Sequence, residues 1–249
     1  MFKIQTNDVN VLRVPISILS EFVAEANFVV SKNGISCVAT DPSGASMTII
    51  EILPSAFTSF SVELDEEVYV NLENLKNALR RVKGSDIVSV STEKNRLLFE
   101  ILGTIRKKFY VPMLEPEKRE QKVPSFSYKV RAEMVASSFA EYIEDVMSVS
   151  DTVTFKASSN KLTIYANSAQ GRVEIDLLAD SEGLLSFKSE EENVDSIYTC
   201  EYLRKIAKAS AISETVLLEF SSDYPIRLDF KAVDKMKISF VLAPRQRNE

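Results

Sequence analysis

The chain has 249 residues, 45% of them apolar and 27% charged, with a net charge of −6. That is enough for a sizeable core in one large domain or two average ones, and the negative total argues against tight nucleic-acid binding by overall charge. It contains no histidine, only six glycines and two cysteines, Cys37 and Cys200, in unrelated segments. The commonest general base and metal ligand are therefore missing, and a structural zinc site or a phosphate-cradling glycine loop has no material to form from.

No GxxxxGK[ST], GxGxxG or GxSxG pattern occurs, so only carboxylate chemistry stays open as an enzymatic reading, among 36 Asp and Glu. Neither a cofactor nor a metal is expected. No apolar run approaches the ~20 residues of a membrane span, and MFKIQTNDVN lacks the basic-then-apolar order of a secretory signal. An intracellular, cytoplasmic chain with two buried thiols is the expectation, with a disulfide as the weaker alternative.

Taken in order, Phe2-Lys3-Ile4 alternates as a strand does. Asn7 and Asp8 are N-cap residues for a helix carrying Val9, Leu12, Ile16, Leu19 and Val23, which Pro15 is expected to kink or shorten. FVVS, the turn Lys32-Asn33-Gly34 and ISCVA read as a hairpin, since Asn-Gly is a strong hairpin signal. Asp41-Pro42-Ser43-Gly44 is a turn, and Met47–Leu53 is a strand stopped by Pro54. Val68–Val70 leads into Asn71, an N-cap for a helix with the stripe Leu72, Leu75, Leu79 and Val82; Lys76, Arg80 and Arg81 lie off the stripe, and Gly84 is read as the stop. Ile87–Ser91, Leu97–Leu102 and Lys107–Val111 are strands joined at Lys94-Asn95 and Gly103-Thr104.

LEPEKREQKVP follows, Leu114 to Pro124, with prolines and charges and no period. It reads as an exposed connector, or as an ordinary surface loop. What favours the connector is that the second half repeats the first. Tyr128-Lys129-Val130 alternates; a helix carries Met134, Val135, Phe139, Tyr142, Ile143 and Val146; a hairpin turns at Ser159-Asn160; Arg172–Leu177 alternates; Ile197–Thr199 leads into a helix with Leu203, Ile206 and Ala207 inward. Glu73, Leu75, Lys76, Arg80, Ser85 and Asp86 match Glu201, Leu203, Arg204, Lys208, Ser213 and Glu214, each pair 128 apart. Near the two starts the offset reads as 126. Duplication is the best account. The expected domains are 1–114 and 127–249 with a connector at 115–126. Two open strand edges differ in charge: Arg106, Lys107 and Lys108, with Tyr110, close the first half, and Arg172, Glu174 and Asp176 lie on a second-half strand. A head-to-tail contact between such edges closes into rings.

MFKI, TDPSGASM, VNLENLKNAL, KVPSF, SSDYPIRLDF and VLAPR together resemble the proliferating cell nuclear antigen (PCNA) family, archaeal type, over essentially the whole length. The resemblance implies an α+β fold of two similar sliding-clamp domains, each with antiparallel sheets outside and two helices lining the inner face. It implies a trimeric ring that encircles duplex DNA without reading its sequence, has no catalytic activity, and docks DNA polymerase, flap endonuclease, DNA ligase and a clamp loader. The residues it points to as DNA-facing are Arg13, Lys76, Arg80, Arg81, Arg204, Lys205 and Lys208, which would otherwise be solvated helix faces. The partner pocket it implies uses Thr40, Gly44, Ala45, Met47, Val123, Pro124, Tyr224, Pro225, Ala243, Pro244 and Arg245, where a client motif anchors side chains and pairs its backbone. Against the pattern, the first helix of the second half carries Glu141, Glu144 and Asp145 on its exposed side, and Pro15 interrupts a helix that relatives keep continuous. An obligate member of a heterotrimeric or checkpoint-type clamp is therefore the alternative, with a carboxylate-based hydrolase as the rival from another class.

Overall fold

The computed structural model describes residues 1–84, 86–115, 123–179, 181 and 183–246. Ser85 and most of the expected connector, residues 116–122, lie outside the described residues. The chain forms two compact units: an N-terminal one of Met1–Gly44, Thr48–Val123 and Ala232–Ile238, and a C-terminal one of Ala45–Met47, Pro124–Lys231 and Ser239–Glu249.

The first half runs β1 (Phe2–Thr6), α1 (Asn10–Leu19), β2 (Glu25–Ser31), β3 (Gly34–Thr40), β4 (Ser46–Ile52), β5 (Ser59–Val62), β6 (Glu66–Asn71), α2 (Leu72–Arg80), β7 (Ile87–Glu93), β8 (Arg96–Leu102) and β9 (Arg106–Pro112). The second runs β10 (Val130–Val135), α3 (Ala136–Met147), β11 (Thr152–Ser158), β12 (Lys161–Ser168), β13 (Gly171–Leu178), β14 (Ser186–Ser189), β15 (Val194–Thr199), α4 (Cys200–Ala207), β16 (Thr215–Phe220), β17 (Ile226–Ala232) and β18 (Met236–Leu242). The strand orders repeat as well. In the first half they are β5-β1-β7-β8-β9 and β4-β3-β2-β6, and in the second β14-β10-β16-β17-β18 and β13-β12-β11-β15. The same α+β unit is thus built twice, as the duplicated sequence requires.

The register corrects the offset read near the starts. Ile4 faces Val90 and Thr6 faces Val88, while Ala132 faces Leu218 and Met134 faces Val216. The two pairings therefore differ by 128 throughout, and not by 126. Tyr128 lies before β10, and Met134 and Val135 belong to β10 and not to the helix. The alternation of KVRAEMV carries strand period to Val135, so these two apolar residues serve a sheet and only resemble the start of a helical stripe. The short strands β5 and β14 carried no signal of their own, because SFSV and SFKS are half polar and only half buried.

Helix α1 runs through Pro15 without a break and ends at Leu19, leaving Val23 outside it. Proline removes one intrahelical hydrogen bond; burial of Val11, Leu12, Pro15, Ile16, Ile18 and Leu19 offsets that loss. Val9 occupies the N-cap position, and the Asp8 carboxylate accepts from the Asn10 N–H at 3.1 Å. Asn71 caps α2 as expected, its Oδ1 accepting from Glu73 and Asn74 at 3.1 and 3.2 Å, and the stripe Leu72, Leu75, Leu79 and Val82 is buried.

Gly84 is not the stop of α2. The helix ends at Arg80, Gly84 has no left-handed backbone, and the following turn is held by Asp86, whose Oδ2 accepts from the Lys83 N–H at 2.9 Å. The hairpin glycine, by contrast, is required. Gly34 has φ +129, and a Cβ there would meet the Ile52 carbonyl oxygen at 2.2 Å.

Candidate nucleic-acid interface and docking surfaces

In the N-terminal unit, α1 packs on α2 and each turns an apolar face to the core. The expected DNA-facing cations are not equivalent. Arg13 is half-buried, and its Nη2 donates to the carbonyls of Leu79 at 3.0 Å and Val82 at 2.8 Å. It thereby adds a second donor to the Leu79 carbonyl, which also accepts from the Val82 N–H at 3.1 Å, serves the Val82 carbonyl just beyond α2, and places a cation at the negative pole of the helix. Lys76 pairs with Glu73 at 3.2 Å. Arg80 and Arg81 are exposed, and the Arg81 guanidinium stands 6.0 Å from the Phe109 ring centre.

In the C-terminal unit, α3 packs on α4. Arg204 and Lys208 are exposed, the latter in the single 3₁₀ turn that extends α4. Lys205 is half-buried, pairs with Glu201 at 2.9 Å and lies 5.5 Å from the Tyr202 ring centre. The hydrogen bond from Lys205, then its charge, holds the Glu201 carboxyl below its ordinary value. Arg80, Arg81, Arg204 and Lys208 are thus exposed, while Arg13, Lys76 and Lys205 are half-buried. Glu141, Glu144 and Asp145 are exposed on α3.

The candidate subunit edges are both terminal strands: β9 ends the order β5-β1-β7-β8-β9, and β13 ends β13-β12-β11-β15. On β9, Arg106, Lys107, Lys108 and Tyr110 are exposed. Arg106 and Lys108 share Glu100 of β8, at 2.5 and 3.3 Å, and the Arg106 hydrogen bond holds that carboxyl low. On β13, Arg172 pairs with Glu174. Asp176 accepts from the Thr163 hydroxyl at 2.7 Å and from Lys161 at 3.0 Å, and these bonds keep it charged below its usual range. One edge therefore presents an excess of cations and the other carboxylates anchored in place. Apolar groups stand beside both: Ile105 and Tyr110 near β9, and Leu178 at the end of β13, are exposed.

The expected partner residues fall in both units. In the N-terminal unit, Thr40 ends β3. Gly44 closes the Asp41 turn, its N–H donating to the Asp41 carbonyl at 2.9 Å with φ +76, and Val123 is exposed. In the C-terminal unit, Ala45 accepts from the Ala243 N–H at 2.8 Å, and the Arg245 N–H donates to the Ile197 carbonyl at 2.7 Å. Those bonds hold the segment Ala243-Pro244-Arg245 extended along its neighbours. Met47 and Tyr224 are half-buried, and Pro124 is exposed. Tyr224 sits in an aromatic group that the residue-by-residue reading did not assign: Phe126 at 5.6 Å and Tyr128 at 6.1 Å between ring centres. The signal was there, in the alternate aromatics of SFSY just after KVP. The Tyr128 hydroxyl is buried without a hydrogen-bond partner among the described residues, and burial pushes its phenol up.

Among the described residues no cluster of metal-ligating side chains occurs, and no helix is long and apolar enough to cross a membrane. Cys37 and Cys200 are free and buried, and burial pushes both thiols up to about 12.

The comparisons with known proteins agree with this architecture. Residues 1–111 match the family model of the proliferating cell nuclear antigen N-terminal domain, and residues 122–245 that of the C-terminal domain. The chain is similar to the DNA polymerase sliding clamp of Nanoarchaeum equitans, 34% identical over 96% of this chain and 97% of that one. It is also similar to the DNA polymerase sliding clamp of Thermococcus sibiricus, 33% identical over 91% of each. A crystal structure of PCNA from Thermococcus kodakaraensis superposes with a TM-score of 0.91 at 26% identity, over 98% of this chain and 100% of that one.

A doubled α+β unit with a helix pair and an open edge strand in each copy defines the sliding-clamp class of protein. The chain belongs to the proliferating cell nuclear antigen family, and within it to the non-enzymatic processivity factors. The carboxylate-hydrolase reading falls with that membership.

Proposed function

We propose that this chain is one subunit of a trimeric ring that encircles duplex DNA and docks replication and repair enzymes, working in the cytoplasm on the chromosome. What carries the reading is the pair of open edges: cationic β9 and carboxylate-bearing β13 are complementary in charge and share exposed apolar neighbours. Because the two patches differ, the contact is heterologous, and it closes when a third chain returns to the first. Edge-to-edge backbone pairing supplies the area, and the charges fix register and exclude wrong pairings.

Topology then holds the DNA, so the helix faces need only a weak, sequence-blind attraction for phosphate. Arg80, Arg81, Arg204 and Lys208 supply it directly. Arg13, Lys76 and Lys205 act at one remove, through the pairs that hold their helices. Client enzymes, among them DNA polymerase, flap endonuclease, DNA ligase and a clamp loader, dock a short motif on the residues around Ala45, Met47, Tyr224, Pro225 and Ala243-Pro244-Arg245. The exposed Pro124 flanks that motif. The test is client-peptide calorimetry on Ala45→Arg and Pro225→Glu. Both should assemble normally and lose peptide binding, and normal affinity in either would count against this docking surface.

A second reading is an obligate place in a heterotrimer. The exposed Glu141, Glu144 and Asp145 on α3 favour it, because a homotrimer would present that acidic face to the duplex three times. Assembly that requires paralogous chains would select this reading.

A further inference from the structure

The two cores, though built on one plan, are not packed alike. The N-terminal unit holds a partly open pocket of about 60 Å³ bordered by Leu12, Ile16, Phe28, Leu75, Val90 and Phe99 among others, every one of them apolar. The residues around it are less completely buried than those of the other unit: Leu12 is 7% accessible, Phe28 8% and Ile35 7%. Their counterparts in the C-terminal unit, Phe139, Phe155 and Leu162, are at 0%.

The repeat explains the difference. In the C-terminal unit Phe155 stacks edge-on against Tyr198 at 5.8 Å and Phe220 at 6.1 Å, and Phe139 of α3 lies buried in the same core. The register carries Phe155 onto Phe28, since Phe28 faces Cys37 and Val68 where Phe155 faces Ile164 and Ser196. At the places of Tyr198, Phe220 and Phe139 the first half has Val70, Thr92 and Leu12. Phe28 thus lacks counterparts of the two rings that pack on Phe155. Part of the volume is restored elsewhere, by Phe2 for Val130 and Phe99 for Leu228, and the remainder is the cavity.

We infer that the N-terminal core is a binding site for one compact apolar molecule of about the size of a xenon atom or a very small hydrocarbon. A cavity of this size is large enough for water, which needs only about 10–15 Å³, but water requires polar partners and none lines it. Apolar cavities of this kind stay dry and take up xenon, and this one is under half of the roughly 150 Å³ that admits benzene. A bound apolar atom gains dispersion contacts that the lining side chains now lack. The C-terminal core, filled by its aromatic group, takes up nothing.

The experiment is xenon titration of the assembled full-length protein, followed by methyl NMR. Saturable shifts are expected at Leu12, Ile16, Leu75 and Val90, none at Ile143, Leu203 and Leu218, the methyl-bearing counterparts of the last three, and no response to benzene. Leu12→Phe and, as a gentler filling, Val90→Leu give each position the residue of its repeat counterpart. Either folded variant should lose the xenon shifts. Absent shifts in the parent protein, equal shifts in both units, or shifts that persist in a folded filled variant would overturn the assignment.

Discussion

Replacing Arg13 separates a structural role from a DNA-contacting one. Its Nη2 makes two hydrogen bonds, to Leu79 and Val82 at 3.0 and 2.8 Å, across the α1–α2 contact. Hydrogen bonds from charged donors contribute about 1.5–3 kcal/mol each when well formed. Arg13 is only half-buried and both bonds leave from one nitrogen, so we take about 2–3 kcal/mol for the pair together. Arg13→Met keeps the aliphatic stem and removes every donor, leaving the Val82 carbonyl without this partner and the Leu79 carbonyl with its backbone donor alone. For a chain of this size that loss lowers the melting temperature by roughly 4–12 °C, at about 2–4 °C per kcal/mol. Urea denaturation at fixed protein concentration measures it, with Arg80→Ala as the exposed control, expected within about 0.5 kcal/mol of the parent. If Arg13→Met were as mild as Arg80→Ala, the capping role would be refuted and Arg13 would return to the set of direct DNA contacts.

The remaining predictions concern charge and chemistry. Arg80→Glu combined with Lys208→Glu should lower clamp-dependent polymerase processivity while client-peptide affinity stays unchanged; full processivity in a correctly assembled ring would refute the assignment of the helix faces. Cys37 and Cys200, pushed up to about 12 by burial, should ignore a disulfide reagent at pH 8 until urea unfolds the chain, and rapid labelling of the folded protein would contradict their burial. Asp176 is held below its ordinary 3.8 by Thr163 and Lys161. Its contribution to stability is therefore fully present above that value and is lost as pH falls through the lowered one. The melting-temperature difference between the parent and Asp176→Asn should be constant from about pH 7 to 5 and shrink toward about pH 3, whereas a difference that grows on acidification would have the wrong sign.

Much of this was legible before the fold was known, and the reasons are local. Asn71 ahead of a stripe at Leu72, Leu75, Leu79 and Val82 specifies where α2 starts and which side it buries, because cap chemistry and helical period agree there. Lys32-Asn33 ahead of Gly34 specifies a hairpin for similar reasons. Other features needed tertiary knowledge. Pro15 is tolerated because a whole buried face outweighs one missing hydrogen bond. Arg13 could be seen as a cation but not as the cap of a helix 66 residues away. Met134 and Val135 looked helical only because an apolar strand end abuts an apolar helix start. The exposed lysines and arginines kept their two meanings, solvated face or phosphate contact, because spacing alone does not distinguish them.

Edge pairing between β9 and β13 of successive chains is the claim on which the functional account rests, and the mass of the assembly in solution tests it most directly. Light scattering on the 27.9 kDa chain, alone and mixed with any paralogous subunits, should show a three-chain particle. Lys107→Glu with Lys108→Glu should dissolve it, and adding Asp176→Lys in the same chain should bring it back. A particle that is monomeric or dimeric under every one of these conditions would contradict the ring.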